Sequence, residues 1–325
     1  MRIGNLPLSS RLLAAPMAGV IDVSARILLR RFGAALVFTE MVSVEGIVRG
    51  QQASRSLVSC DPREAPVGVQ LFGRDPLSFA KAAAYAESRG AALIDINMGC
   101  PVKRVVRQGA GAALLVDPDL CAKIVSEVKR VVAIPVTAKI RAGWDASSIN
   151  CRELGTRLQD AGADGVILHP RTAGQFFSGA ADWSLVKDLA ERLSVPVVGS
   201  GDVKGRGEAG ERIRQSGASF VMIGRGAVGK PWVFSPDDAV PGPDELFHVI
   251  ERHRALIEEL YPIGKVVPVL KRHCAHYLKG MDRTASLRRA VMEKKTTAGI
   301  MGLVLDYLVG MTRDFHTADD GISRG

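Results

Sequence analysis

Aromatic residues are scarce in this chain, at 5%, which argues against an aromatic-rich lectin type. Long apolar runs are missing as well. Segments such as Leu12–Ala15 end at a turn within a few residues, and none approaches the ~20 apolar residues that a membrane-spanning helix needs. The opening Met1-Arg2-Ile3-Gly4-Asn5 lacks a long apolar stretch, so no secretion signal and a cytoplasmic location are expected. Cysteines number five (Cys60, Cys100, Cys121, Cys151, Cys274), with no CxxC pair, which excludes a disulfide framework and leaves a zinc ribbon without ligands. His273 and His276 can share a helix face, but they have no carboxylate or cysteine at suitable spacing, so no metal is expected.

The 325 residues, 47% of them hydrophobic, exceed one ordinary core and suffice for a large barrel plus a small appendage. The net charge is +9, and its placement is uneven. Between Lys265 and Lys295 lie nine basic residues, Lys271, Arg272 and Arg288 among them, against Asp282 and Glu293, a net of +7. So dense a patch attracts polyanions, because each neutralised phosphate releases condensed counterions. On charge alone a solvated helix face explains it equally well.

From residue 11 to residue 230 one unit repeats: a short apolar run, a loop, then a helical stretch. The runs are Leu12–Ala15, Ala35–Thr39, Val67–Leu71, Leu93–Asn97, Val136–Ile140, Gly165–His169, Val195–Gly199 and Phe220–Gly224. Helical patterning follows most of them, as in Leu77–Arg89, Pro118–Val131 and Cys151–Ala161, and several helices end in Gly-Ala, suited to a left-handed terminator. Continuous apolar runs are the mark of buried parallel strands. Eight such units point to an α/β fold, a (β/α)8 TIM barrel, over residues 1–234. A doubly wound sheet would carry a glycine fingerprint after its first strand, where this chain has Pro16-Met17-Ala18-Gly19. Residues 235–244, with three prolines, read as a linker. Glu245–Tyr261, Gly264–Gly280, Arg283–Lys295 and Thr297–Thr312 read as the helices of a carboxyl-terminal α-helical bundle over 245–325, with a polar tail, Thr317–Gly325, that frays.

A barrel of this kind builds its active site at the carboxyl ends of its strands. After the fourth run, Asn97-Met98-Gly99-Cys100-Pro101 presents a thiol, which can serve as a nucleophile, as a proton donor, or as a small buried apolar group. After the fifth, Lys139-Ile140-Arg141 sets a lysine in the last turn of a strand, where it needs an anion: a Schiff base is one use, a counter-charge to the anionic N1 of a reduced flavin another. After the sixth, His169-Pro170-Arg171-Thr172 with Gln175 supplies donors. The seventh and eighth are followed by Ser200-Gly201-Asp202 and Gly224-Arg225-Gly226, the two loops that form a phosphate cup in this architecture. A phosphorylated ligand is implied, and the lysine near its other end favours FMN over a sugar phosphate.

With these residues in view, the chain resembles the tRNA-dihydrouridine synthases from about Leu12 to Thr312, most closely a bacterial, nitrogen-regulation-like subgroup. The likeness rests on Ala15-Pro16-Met17-Ala18-Gly19-Val20, Thr39–Ser43, Val69–Gly73, Asp95–Pro101, Lys139–Trp144, His169 with Arg171-Thr172, Ala181-Asp182-Trp183 and Gly224-Arg225-Gly226. It implies FMN across the barrel mouth, its ring against Pro16, Met17, Ala18, Gln70, Lys139 and His169. Its phosphate would rest on Ser200, Gly201, Asp202, Gly224 and Arg225. It further implies NADPH as reductant, hydride from flavin N5 to uracil C6, and a proton from Cys100 to C5. tRNA is the implied partner, with Asn97, Arg141, Arg171, Lys271, Arg272 and Arg288 toward the substrate and the protein acting as a monomer. Two positions depart from the family pattern: Ala173 where an arginine is usual, and Ser200 where an asparagine is more frequent.

Two other functions compete. A flavin barrel acting on a free pyrimidine, of the dihydroorotate dehydrogenase kind, shares the cup but gives no reason for a basic appendage. An RNA-binding protein on an inactive barrel gives no reason for an intact Cys100, Lys139 and cup.

Overall fold

The computed structural model describes residues 1–237, 239–281 and 284–319, with residues 312–319 described by backbone alone. A two-stranded antiparallel hairpin, β1 (Arg2–Ile3) and β2 (Leu6–Pro7), opens the chain. The main sheet comprises β3 (Leu12–Ala14), β4 (Val37–Phe38), β5 (Val42–Ser43), β6 (Val67–Phe72), β7 (Leu93–Met98), β8 (Val136–Arg141), β9 (Gly165–His169), β10 (Val197–Ser200) and β11 (Phe220–Ile223). All its pairings are parallel, in the order β3-β11-β10-β9-β8-β7-β6-β4, with β5 a short extension beside β6. A parallel bridge from Leu13 to Leu36 brings the two ends together, so the sheet closes on itself as a (β/α)8 barrel.

The helices of this unit are α1 (Val23–Arg31), α2 (Val44–Val48), α3 (Gln52–Ser56), α4 (Pro76–Ser88), α5 (Lys103–Val106), α6 (Pro118–Lys129), α7 (Cys151–Asp160), α8 (Trp183–Arg192) and α9 (Arg206–Ser216). Their starts are locally encoded. Asp75 and Asp117 cap α4 and α6 by accepting from Ser78 N and Leu120 N, and each is followed by proline at the first helical position, where a missing N–H costs nothing. Apolar side chains on the outward face of the strands, such as Ile94, Ile96, Ile140 and Leu168, pack against those helices.

The inward face is divided. At the amino end of the strands, Leu13, Leu36, Phe38, Leu93, Ile167, Val198, Phe220 and Met222 form a separate apolar cluster, plugged by Ile3 and Leu8 of the opening hairpin segment. At the carboxyl end the inward positions are polar, so β7 alternates (Leu93-Ile94-Asp95-Ile96-Asn97) rather than running continuously apolar.

The described residues fall into two units: one holds 1–227 and 233–237, the other 228–232 and the described residues from 239 onward. The second contains α10 (Pro243–Leu260), α11 (Ile263–Tyr277), α12 (Thr284–Glu293) and α13 (Thr297–Asp319). Pro243, read from sequence as linker, is instead the first residue of α10, a place that suits its fixed φ. Helix α13 continues past the expected Thr312 to Asp319, taking in the first part of the tail expected to fray. The rest of that tail, and Arg283 at the expected start of α12, lie outside the described residues. Among the described residues no helix is long and apolar enough to cross a membrane.

Candidate active site

Parallel register places Gln70 beside Asp95, Asp95 beside Thr137, Asn97 beside Lys139, and Arg141 beside His169. Residues two apart on a strand share a face, so these side chains form one polar tier inside the carboxyl end of the barrel. Cys100 follows β7 directly. It is half-buried, whereas Cys121, Cys151 and Cys274 are fully buried, with thiols pushed up to about 12, 11 and 12, chiefly by burial. Its backbone is held at both ends: Cys100 N donates to Asn97 Oδ1 at 3.0 Å, and Cys100 O accepts from Ala112 N at 3.0 Å. Gly111, at φ +60°, allows that approach, since a Cβ there would lie 2.6 Å from Cys100 O.

Lys139 makes no direct ion pair among the described residues. Burial, with Arg141 adding to it, pushes its pKa down to about 8, against the opposing charge of Asp95. His169 is pushed down to about 2, first by burial and then by Lys139, Arg141, Arg171 and Arg225, and so stays neutral at any working pH. Its Nε2 lies 3.3 Å from Arg171 Nη1, which can only donate, so the ring proton sits on Nδ1. Gly201, at φ +122°, passes so close that a Cβ would meet His169 Cδ2 at 2.9 Å.

The cup loops behave differently from one another. Asp202 Oδ2 accepts from Arg171 Nη2 at 2.6 Å and from Ala181 N at 2.8 Å, while Oδ1 lies 3.5 Å from Arg225 Nη2. Burial pushes this carboxyl up, but the bonds from Arg171 and Ala181 and the arginine charges outweigh it and hold it below the usual range. The Asp202 side chain is thus a bridge between two arginines. Gly224 stands beside the Pro16–Ala18 turn: a Cβ on it would reach Ala15 Cβ at 3.5 Å and Met17 Sδ at 3.8 Å. Ser200 is buried at the end of β10, and half-exposed Arg225 lies over the Phe177 ring, 4.8 Å from its centre.

Two arginines read as substrate contacts differ in how much of each guanidinium is left for a ligand. Arg171 is 2% exposed, and its guanidinium is spent on Ser178 O, Gly179 O, Asp202 and His169. It ties the loop after β9 to the barrel, since leaving so buried a charge unpaired would be costly. Arg141 donates Nε to Gly99 O and Nη1 to Thr172 O and Phe176 O, at 2.8–2.9 Å, leaving only Nη2 to reach a ligand. Ala173 is buried and binds Gly143 O through its N–H, so this position joins two loops instead of offering charge at the rim.

Sequence reasoning missed two residues. Asp95, fully buried, accepts from Gln70 Nε2 at 2.6 Å and Thr137 Oγ1 at 2.7 Å, and is pushed up to about 6 by burial against those bonds and Lys139. Phe177, half exposed, covers Arg141 and Arg225 and lies 6.5 Å from the His169 ring. The first was discoverable as an inward position two before Asn97; nothing local marks the second.

In the helical unit, Lys271 Nζ donates to Met292 O at 2.7 Å, and Arg272 and Arg288 are half-buried. Lys265, Lys279, Arg289 and Lys295 are exposed. His273 is buried against His253, ring centres 4.2 Å apart, and His253 Nδ1 lies 2.9 Å from Tyr277 OH.

Comparison with known proteins agrees with this geometry. Residues 12–306 match the family described as Dihydrouridine synthase (Dus). A probable tRNA-dihydrouridine synthase of Rickettsia conorii is 37% identical over 301 residues, 90% of this chain and 91% of that protein. The tRNA-dihydrouridine synthase B of Pasteurella multocida is 36% identical over 89% of this chain and 90% of its own length. Among solved structures, histamine dehydrogenase from Rhizobium sp. 4-9 superposes with a TM-score of 0.56 at 15% identity. The match covers 84% of this chain and 50% of that one, a likeness of fold alone.

Proposed function

Because the chain belongs to the dihydrouridine synthase family, we propose that it is an FMN-dependent enzyme that reduces specific uridines of tRNA to 5,6-dihydrouridine, with NADPH as reductant. The observation that carries this reading is the polar tier itself: a half-buried thiol, a lysine without an ion-pair partner among the described residues, and a neutral histidine at one barrel mouth. When bound, FMN would supply the hydride chemistry that joins oxidation of NADPH to reduction of the uracil at C6.

The residues present fit an anionic flavin. Lys139 would supply positive charge to the ring, and Gln70 and the Nδ1–H of His169 would supply hydrogen-bond donors. The Pro16–Ala18 turn offers an apolar edge. Backbone at Ser200, Gly201 and Gly224, with the Arg225 guanidinium, serves the phosphate, while Asp202 holds Arg225 in place. Cys100 Sγ gives its proton to C5 of the uracil, and Asn97 holds the Cys100 loop. The basic face of the helical unit, including Lys271, Arg272 and Arg288, binds the tRNA backbone, and the chain works as a monomer in the cytoplasm.

Mapping dihydrouridine in tRNA from cells lacking the chain tests this. One site is expected to revert to uridine and to be restored by the wild-type chain but not by Cys100→Ala. An unchanged dihydrouridine pattern overturns the assignment.

A further inference from the structure

Four hydrogen bonds link a carboxylate deep in the barrel to the loop that carries the thiol. Gly99 N and Cys100 N donate to Asn97 Oδ1 at 3.2 and 3.0 Å. Asn97 Nδ2 donates to Gln70 Oε1 at 2.9 Å, and Gln70 Nε2 donates to Asp95 Oδ2 at 2.6 Å. Thr137 Oγ1 donates to the other oxygen of Asp95 at 2.7 Å. The two ends of this chain have fixed polarity. Backbone N–H groups can only donate, and an ionised carboxylate can only accept. Two carboxamides between such ends have one orientation that satisfies every group: oxygen of Asn97 toward the loop, its nitrogen toward Gln70, and nitrogen of Gln70 toward Asp95. Buried groups left with donor facing donor, or acceptor facing acceptor, would carry an unmade bond.

We propose that Asp95 is a positioning residue that sets the orientation of the Gln70 and Asn97 carboxamides and, through them, holds the backbone of Cys100. It touches no reactant; it acts through the two amides. Asn97 Oδ1 is doubly occupied and one Nδ2 proton is spent, so the only valence Asn97 can turn to the mouth is an N–H. If the uridine-reduction reading holds, that donor faces a carbonyl oxygen of the pyrimidine, a consequence that rests on that reading while the orientation itself does not.

The polarity can be reversed by design. Asn97→Asp keeps an acceptor for Gly99 and Cys100 but removes the donor to Gln70. Gln70 must then turn its nitrogen to the introduced carboxylate and its oxygen toward the carboxylate of Asp95. Adding Asp95→Asn supplies the missing donor, and the Thr137 hydroxyl can donate to the oxygen of the introduced amide, so every group is satisfied with Gln70 flipped. Adding Asp95→Ala relieves the like charge without supplying a donor.

The test is amide hydrogen exchange, read by mass spectrometry on peptides spanning residues 98–101 of the full chain, with urea unfolding recorded alongside. Asp95→Asn alone is expected to exchange as the wild type does, since the threonine hydroxyl can rotate to accept. Asn97→Asp should exchange about tenfold faster, on the scale of one lost hydrogen bond. Asn97→Asp/Asp95→Asn should return to the wild-type rate, and Asn97→Asp/Asp95→Ala should not. Equal rescue by asparagine and alanine would overturn the proposal in favour of simple charge relief. So would failure of asparagine to rescue. Neither tRNA nor flavin enters the measurement, so its failure is distinct from failure of the functional reading.

Discussion

The two ends of the barrel interior are built from the same strands and could hardly differ more. Two residues along β7 separate Leu93, in the apolar plug, from Asp95, in the polar tier, and two residues along β9 separate Ile167 from His169. At the amino end, side chains from six strands and the hairpin segment exclude water and ask nothing of one another but shape. At the carboxyl end Gln70, Asp95, Asn97 and Thr137 each meet a partner of matching polarity, while Lys139 lacks an ion pair among the described residues. The difference teaches where stability and chemistry reside: the plug can absorb the cost of burying charge one layer above it.

Breaking each end should therefore give different losses. Cys100→Ala is expected to lower the rate of uridine reduction by about 10²–10⁴-fold, the range for a lost general acid, with flavin still bound. Single-turnover mixing of the reduced enzyme with tRNA measures it. Phe220→Ala, in the plug and 1% exposed, should cost about 3–5 kcal/mol in urea unfolding and leave the reduction rate of the folded fraction near wild type.

Titration sharpens the contrast. Burial holds the pKa of the Lys139 ammonium down to about 8. The hydrogen-bond acceptors along a flavin's N1–O2 edge favour the charged lysine, so above that pH binding must draw in a proton, and affinity should fall by up to about tenfold per pH unit. Fluorescence titration of flavin binding from pH 6.5 to 9.5 checks this, with Lys139→Met expected to bind more weakly and with that slope removed. The smallest effects belong to the helical unit. Lys279→Ala and Arg289→Ala, at exposed positions, should each reduce the slope of log affinity for tRNA against log salt by about 0.7–0.9, measured by filter binding.

How much of this was legible follows the same division. The strands were visible because each apolar run ends at a turn, and the helices because helical patterning follows most runs, although the local Asp75-Pro76 cap that starts α4 one residue before Leu77 went unread. Cys100, Lys139 and His169 were visible from their place at strand ends. Asp95 could be placed as an inward position two before Asn97, but its role could not be read, because its partners stand 25 and 42 residues away and meet it only through strand register. The same cause misled on Arg171: an arginine bound to carbonyls eight residues on and to a carboxylate from another strand end reads, in one dimension, like a free cation at the rim.

The identity of the electron acceptor decides most directly between uridine in tRNA and a free pyrimidine. Purified enzyme, its flavin reduced and excess NADPH removed, can be mixed anaerobically with unmodified tRNA or with orotate while flavin absorbance is followed. Reoxidation by tRNA, with orotate inert, is the expected result. Reoxidation by orotate with tRNA inert would contradict it.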